Sequence, residues 1–170
     1  MRRAWAMPSK HTFTIPPIAE LLGRFPMEEF VDPFAGWNSP ARYRNDLNPE
    51  APVEAHVDAE EFICTFSEIL GLLFDPPYSP RQISELYKGI GFKVGMKETQ
   101  SAALYSRVRN AAAKRMPVGS VSISFGWNSV GMGIKRGFEI EEILLVCHGG
   151  AHNDTIVVVE RKVLSQSDFF

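Results

Sequence analysis

The hydrophobic residues of this 170-residue chain fall into short runs of two kinds. Runs that are continuous, or that alternate with polar residues, are typical of strands, and an acid, a proline or a glycine closes most of them. They predict strands at residues 29–31, 43–46, 55–57, 71–74, 118–125, 140–147 and 155–163. Apolar residues three or four positions apart predict helices, which we place within 12–25 and at 59–70, 80–89 and 100–116.

The order of these elements indicates an α/β fold. Strands that alternate with helices form a mostly parallel sheet with helices on both faces. A short segment containing Gly149 and Gly150 joins the last two strands, which predicts an antiparallel hairpin at the edge of the sheet. Since no repeat or low-complexity linker interrupts the pattern, we expect residues 1–170 to form a single domain without a separate recognition domain.

The composition is that of an ordinary globular domain, with 45% hydrophobic and 22% charged residues. Cys64 and Cys147 both lie in apolar surroundings, which indicates a reducing compartment rather than a disulfide framework. No apolar run reaches the length of a signal peptide or of a membrane helix. We therefore expect a cytoplasmic protein that does not bind a membrane.

The charge of the chain is unevenly distributed. A net charge of −2 argues against a surface that is basic throughout. Residues 81–115, which we call the basic segment, nevertheless contain eight basic residues against Glu85 and Glu98. Such a segment could follow the phosphate backbone of a nucleic acid. The alternative is a pair of amphipathic helices whose charges are simply solvated.

A rigid corner follows the predicted strand at 71–74, where the sequence reads Asp75-Pro76-Pro77-Tyr78. Each proline fixes its own φ near −65° and lacks an N–H. The corner therefore presents the Asp75 carboxylate, the Pro76 carbonyl and the Tyr78 ring in fixed directions. Two acceptors beside a flat ring would suit a planar group that carries an NH2. The alternative is an ordinary exit from a strand into a turn.

Acidic residues close four of the predicted strands in succession, namely Asp32, Asp46, Asp58 and Asp75. Trp127 and Asn128 close a fifth. In parallel sheets, ligands bind beyond the carboxyl ends of the strands, so this series predicts a binding site there. Taken alone, each acid is better explained as a helix N-cap or a turn residue.

These motifs, in this order, resemble those of the class I S-adenosylmethionine-dependent methyltransferases. More narrowly, they are similar to those of small phage and prophage DNA N6-adenine methyltransferases, and the resemblance covers nearly the whole chain. It rests on Phe13-Thr14-Ile15-Pro16-Pro17-Ile18, Asp32-Pro33-Phe34-Ala35-Gly36, Asn45-Asp46-Leu47-Asn48, Asp58-Ala59, Asp75-Pro76-Pro77-Tyr78, Phe125-Gly126-Trp127-Asn128-Ser129 and His148-Gly149-Gly150-Ala151-His152-Asn153-Asp154. It implies a Rossmann-like methyltransferase fold with a mostly parallel, seven-stranded sheet.

The resemblance also implies a site for S-adenosyl-L-methionine. Phe13 and Thr14 would border its methionine part, and the turn Asp32-Pro33-Phe34-Ala35-Gly36 would let the backbone pass close to it. Asp75 would lie beside its methyl group. The family usually continues this turn as Gly-x-Gly, whereas Trp37 follows Gly36 here. We expect the Trp37 ring to narrow the pocket or to stack on the cofactor.

The adenosine part of the cofactor would be held by the next two strand ends. The resemblance implies that Asp46, beside Leu47, accepts hydrogen bonds from the ribose hydroxyls. Asp58 would accept one from the adenine amino group, and Ala59 would pack on the adenine ring.

The implied activity is methylation of the N6 amino group of adenine in DNA, after the base has been flipped out of the duplex. The Asp75 carboxylate and the Pro76 carbonyl would hold the two amino hydrogens. This would localise the nitrogen lone pair towards the methyl group. Pro77 would stiffen the corner, and Tyr78 would stack on the flipped base.

The implied partner is DNA, and a homodimer would be one way to extend its recognition. The candidate contacts are Tyr78, Arg81, Lys93, Lys97, Trp127, Asn128, His148, His152 and Asn153. The spacing of His148, His152 and Asp154 could also suit a metal ion. A Gly-Gly turn with surface histidines explains it without one, so we predict no metal.

Three alternatives to this activity remain open. The same corner occurs in methyltransferases that act on RNA bases. Its two acceptors could also hold another exocyclic amine, such as the N4 amino group of cytosine in DNA. A methyltransferase fold that has lost catalysis and only binds is the third alternative, which Trp37 would explain.

Overall fold

The computed structural model describes residues 1–77, 98–150 and 152–165. Within these ranges it contains seven strands, which are β1 (Arg2–Trp5), β2 (Phe30–Asp32), β3 (Tyr43–Arg44), β4 (Gly71–Phe74), β5 (Val121–Gly126), β6 (Phe138–Cys147) and β7 (Thr155–Lys162). The α-helices are α1 (Pro16–Leu22), α2 (Ala59–Cys64) and α3 (Glu98–Arg115). Short 3₁₀ helices occupy Thr12–Thr14, Met27–Glu29 and Ile134–Arg136. The helix predicted at 80–89 lies outside the described residues.

The strands form one sheet in the order β1-β6-β7-β5-β4-β2-β3. The pairs β1/β6, β2/β3, β2/β4 and β4/β5 are parallel, and β7 is antiparallel to both of its neighbours. The mostly parallel α/β sheet and its antiparallel hairpin β6–β7 are therefore confirmed. The outer strand of the hairpin is covered by β1, which the sequence pattern did not predict.

Helices cover both faces of the sheet, as β4 illustrates. Successive strand residues point to opposite faces, so Leu73 packs on one side and Leu72 on the other. Leu73 shares a buried cluster with Ile18 and Leu21 of α1. Leu72 shares a second cluster with residues of α2 and α3, among them Val108. Each cluster buries continuous apolar surface, which is the main source of stability for such a fold.

The strand predicted at 55–57 is absent, and a single backbone bridge joins Asn45 to Ala55 instead. The reason is the Asn45 side chain, which is fully buried. Its amide exchanges two hydrogen bonds with the backbone of Val57, both 3.0 Å long, and donates a third to the Pro33 carbonyl at 3.2 Å. One side chain thus satisfies backbone groups that a ladder of paired residues would otherwise satisfy.

Strands β1 to β6 all end at the same edge of the sheet, which we call the carboxyl edge. From β2 the chain runs outward to β3 and then returns past β2 to β4. The carboxyl ends of β2 and β4 therefore flank the point where the strand order reverses, which is where open α/β sheets bind ligands. Among the described residues, no helix is long and apolar enough to cross a membrane.

Candidate active site

A cavity of about 650 Å³ opens at this reversal point, within the usual size range of small-molecule sites. Residues from the N-terminal segment, from the turn after β2 and from the end of β4 enclose it. They are Lys10, His11, Thr12, Phe13, Phe34, Ala35, Gly36, Trp37, Asn38 and Asp75. The fold thus brings five of the predicted site residues together: Phe13, Phe34, Ala35, Gly36 and Asp75.

Asp75 follows β4 directly and forms one wall of this cavity. Its burial raises the pKa of the carboxyl group to about 6, while a side-chain hydrogen bond with Thr12 limits the rise. A hydrogen bond links the corner after Asp75 to α3, because the Tyr105 hydroxyl donates to the Pro77 carbonyl. Asp75 is therefore a carboxylate at neutral pH, held in place at the cavity wall.

Asp32 lies behind the cavity and does not line it. It is fully buried, and its Oδ1 accepts a hydrogen bond from the Phe34 N–H at 2.9 Å. Its Oδ2 accepts one from the Ser39 hydroxyl at 2.6 Å. Burial raises the pKa of Asp32 to about 7, and the nearby Asp75 and Asp46 carboxylates add to the rise. Asp32 therefore shapes the turn that forms the opposite wall.

Asp46 joins that turn to the segment after β3. Its Oδ2 accepts from the Gly36 N–H at 2.9 Å, and its Oδ1 accepts from the Asn48 N–H at 2.8 Å. Gly36 has a φ of 55°, a conformation that favours glycine. Apart from its two chain neighbours, no described residue has an atom within 4 Å of the position that a Cβ would take there. The backbone angle therefore favours glycine at position 36, and the described residues leave open space beside its Cα.

Asp58 is the N-cap of α2. Its Oδ1 accepts from the N–H groups of Glu60 at 2.9 Å and Glu61 at 3.3 Å, and its side chain is exposed. This is the capping role that the sequence left open as the alternative. Besides Asp32, the cavity is not lined by Asp58 or by five other predicted cofactor contacts, Thr14, Pro33, Asp46, Leu47 and Ala59. Their roles towards a cofactor remain predictions.

Four cavity residues were missed by the sequence reasoning, among them Thr12, which forms a hydrogen bond with Asp75. Lys10, His11 and Asn38 line the cavity, and the Asn38 amide contacts Nδ1 of His11 at 2.6 Å. This contact joins two lining residues of the cavity, one from the N-terminal segment and one from the turn after β2. The available signal was position: Lys10 and His11 directly precede the 3₁₀ helix that carries Phe13.

The predicted nucleic-acid contacts are placed in different ways. Trp127 and Asn128 are exposed at the end of β5, and His152 and Asn153 are exposed in the turn before β7. His148 is buried, and its ring nitrogens contact the Ala6 carbonyl and the Thr155 hydroxyl, each at 2.9 Å. Since its ring is engaged inside the protein, His148 is not available on the surface for DNA or a metal.

The basic segment is described only in part. The candidates Tyr78, Arg81, Lys93 and Lys97 lie outside the described residues. On α3, Arg109 packs over the Phe74 ring at 4.7 Å, and Arg115 donates to the Phe66 carbonyl at 3.0 Å. These two cations therefore serve the packing of α3 instead of a polyanion.

No family model matches this chain, and no curated protein gives a significant match. Among solved structures, it is similar to TrmN from Thermus thermophilus, with 18% sequence identity and a TM-score of 0.59. The match covers 88% of this chain and 49% of TrmN, so the chain spans about half the length of that protein.

The architecture is thus the Rossmann-like fold of class I methyltransferases, as predicted. A likeness at this level of identity concerns the fold alone. The narrower resemblance to phage DNA methyltransferases remains a prediction.

Proposed function

We propose that this protein is an S-adenosylmethionine-dependent methyltransferase that modifies the N6 amino group of adenine in DNA. The observation that carries the proposal is the position of Asp75. It stands at the end of β4, at the reversal point of the sheet, in the wall of a cavity whose other wall is the turn after β2.

The cavity suits the cofactor in size and in chemistry. A volume of about 650 Å³ accommodates a nucleoside with a short side chain. S-adenosylmethionine, when bound, supplies an electrophilic methyl group on a positively charged sulfur. Phe13, Phe34 and Ala35 offer apolar surface to it, and Asp75 offers negative charge. Asp46 and Asp58 would hold the ribose and the adenine, since each oxygen of a carboxylate can accept more than one hydrogen bond.

Asp75 and Pro76 would prepare the amino group for transfer. The lone pair of an aromatic amine is delocalised into its ring, so the nitrogen is a poor nucleophile. The Asp75 carboxylate and the Pro76 carbonyl can each accept one amino hydrogen, which pulls the nitrogen towards tetrahedral geometry. Fixed acceptors cost no reorganisation at the moment of reaction, so positioning and electrostatics supply most of the acceleration. The proton released from the nitrogen can leave through Asp75.

An RNA base is the second candidate substrate. TrmN, whose fold this chain shares, is itself a tRNA methyltransferase. The acceptor pair at Asp75 and Pro76 would hold an exocyclic amine equally well in either polymer. The segment 78–97, which follows this corner, is the natural place for the contacts that distinguish them.

A transfer assay with labelled S-adenosylmethionine tests the proposal. The substrates compared are duplex DNA, structured RNA and DNA that contains cytosine but no adenine. Each is tested with the wild type, with Asp75→Ala and with the control Glu139→Ala, which changes an exposed acid at the start of β6. We expect adenine-dependent methylation that Asp75→Ala lowers at least about 100-fold. Cofactor binding, measured by calorimetry, should persist in that variant.

Other outcomes would reassign the protein. Full turnover by Asp75→Ala would refute the role of this residue. Methylation of RNA alone would favour the second candidate, and methylation of cytosine-only DNA would indicate transfer to N4. Absence of cofactor binding in the wild type would leave a binding protein that has lost catalysis.

A further inference from the structure

All three tryptophans of the chain lie at the carboxyl edge and are largely exposed. Trp5 is the last residue of β1, Trp127 directly follows β5, and Trp37 stands in the turn after β2. Their exposed fractions are 67%, 53% and 54%. Tryptophan is usually highly buried, so three exposed indoles at one edge of a sheet indicate a contact surface.

The sheet order places two of these indoles around the reactive corner. The neighbours of β4 are β5 and β2, so Asp75 at the end of β4 stands between the end of β5, which Trp127 follows, and the turn after β2, which contains Trp37. Trp37 also lines the cavity together with Asp75. A base held at Asp75 would thus lie between two indoles that are each more than half exposed.

Trp5 extends this surface along the edge. From β5, the strand β1 is reached across β7 and β6, or roughly 14 Å at about 4.8 Å per strand. The Trp5 indole lies against Gly149, with Nε1 3.6 Å from the position a Cβ would take there. The exposed side chain of Met7 follows two residues later. A base several nucleotides away from the reacting base could therefore stack on Trp5.

The charges of the described residues at this edge favour stacking over phosphate contacts. Binding to intact duplex depends mainly on Lys and Arg that neutralise phosphates. Among the described residues, Asp32, Asp46 and Asp75 lie at or just after the carboxyl ends of β2, β3 and β4. Arg44, the last residue of β3, donates to Glu54 at 3.2 Å, and Lys10 lines the cavity. The Arg3 guanidinium is already engaged with the Cys147 sulfur at 3.1 Å. Indole faces bind bases without requiring such charge, because every base has a π-face.

We propose that the carboxyl edge binds an unpaired stretch of nucleic acid. The reacting base would lie at Asp75 between Trp37 and Trp127, and a base several nucleotides away along the same strand would stack on Trp5. This inference rests on the proposed function and narrows its substrate class to single-stranded or locally opened polymer. An unpaired target spares the enzyme the cost of opening a duplex.

Binding of fluorescein-labelled oligonucleotides, followed by anisotropy without cofactor, tests the inference. Single-stranded DNA and RNA of one adenine-containing sequence are compared with the corresponding duplexes. The variants are Trp5→Ala and Trp127→Ala, with Trp5→Phe as the conservative partner. Ile140→Ala is the control, because Ile140 is 50% exposed near the opposite end of β6. Circular dichroism verifies that each variant is folded.

We expect at least about tenfold tighter binding of the single strands than of the duplexes. Each alanine variant should lose about 5- to 150-fold in affinity, whereas Trp5→Phe and Ile140→Ala should stay near wild type. Equal affinity for duplex, or alanine variants that bind like Ile140→Ala, would overturn the inference.

The methyl-transfer assay keeps the two proposals apart. Binding that depends on the tryptophans, in a wild type that transfers no methyl group to any substrate, would sustain the inference and refute the function. Transfer by a protein whose binding ignores Trp5 and Trp127 would do the reverse.

Discussion

The two edges of the sheet differ in what their buried charges contact. We call the edge opposite the cavity the amino edge; it contains Ile69, Ser120 and Lys162. There, the buried charge of Lys162 contacts backbone groups of the protein itself. The Lys162 ammonium is buried and donates to the Ala113 carbonyl and, at 2.6 Å, to the Met116 carbonyl. These carbonyls end α3, where a cation is favoured by the helix dipole.

At the carboxyl edge, one acid differs from the others, whose carboxylates accept hydrogen bonds from their own turns. Asp75 stands in a cavity wall and keeps a pKa raised by burial, with Thr12 as a polar neighbour. A partly desolvated charge that faces open space lowers the stability of the fold. Active sites commonly contain such destabilising charges. The comparison teaches that burial of a charge is structural where backbone groups surround it, and functional where a cavity remains beside it.

Among the changes considered, Asp75→Asn should have the largest effect, and it should affect activity at the carboxyl edge without lowering stability. The amide keeps the shape of the side chain but loses the charge, so methyl transfer should fall by about 100-fold or more. Thermal stability should not decrease, because a desolvated carboxylate is removed. Steady-state transfer rates and thermal melts of the same preparations measure both effects. A variant that melts much lower yet transfers normally would reverse our assignment of Asp75.

Lys162→Met should have the opposite profile. It leaves two buried carbonyl groups without their donor, which costs about 3 kcal/mol. For a chain of this length, that loss lowers the melting temperature by about 6–12 °C. Transfer per folded molecule should stay unchanged. Lys135→Met, at an exposed lysine, is the matched control. A specific loss of transfer at full stability would show that the amino edge takes part in the chemistry.

The sequence predicted the sheet better than it predicted its two outer positions. Periodicity identified β4 to β7 because their apolar runs are long enough to require burial. It missed β1, which is short and begins at Arg2. The Arg2 side chain forms ion pairs with Glu20 at 2.9 Å and Glu142 at 3.6 Å, which an apolar pattern does not reveal. It also placed a strand at 55–57, since spacing does not reveal that the Asn45 side chain satisfies that backbone.

For the candidate site, the sequence predicted where the site lies but not which of the acids face its cavity. Acids that follow strands must meet at one edge, so Asp75 and the turn after β2 were found together. Whether an acid faces a cavity depends on the N–H groups its own turn leaves unpaired. Asp58 caps α2 and Asp32 braces a turn for this reason. Lys10 and His11 were missed because they reach the cavity through chain folding, not through a motif.

Activity and stability should change in opposite directions with pH. The pKa of Asp75 is raised to about 6 and that of Asp32 to about 7. Because both values exceed the ordinary 3.8, the folded state binds protons more tightly than the unfolded chain. Folding is therefore favoured as the pH falls from about 7 towards 4, and this gain is lost as the pH rises again.

Methyl transfer needs the Asp75 carboxylate as an acceptor, so its rate should fall about tenfold for each pH unit below 6. Melting temperatures and transfer rates between pH 5 and 8 measure the two trends in one buffer series. Asp75→Asn should flatten part of the stability profile. A rate that does not change between pH 5 and 7 would contradict the role of an ionised Asp75.

The smallest expected effect concerns the link between α3 and the corner. Tyr105→Phe removes the hydroxyl that donates to the Pro77 carbonyl but keeps the ring, which packs edge-to-face on Phe34 at 5.8 Å and on Phe74 at 6.3 Å. The loss of one hydrogen bond should cost about 1 kcal/mol of stability. The corner should also be held less firmly, so transfer should slow by about fivefold.

Cofactor affinity should not change in Tyr105→Phe, which calorimetry can establish. Tyr43→Phe is the matched control, because Tyr43 is 46% exposed and packs against Phe66 at 5.4 Å, away from the cavity lining. Slower transfer in Tyr105→Phe but not in Tyr43→Phe would show that α3 positions the acceptors at the carboxyl edge. Equal rates in both variants would mean that the two prolines hold the corner without α3.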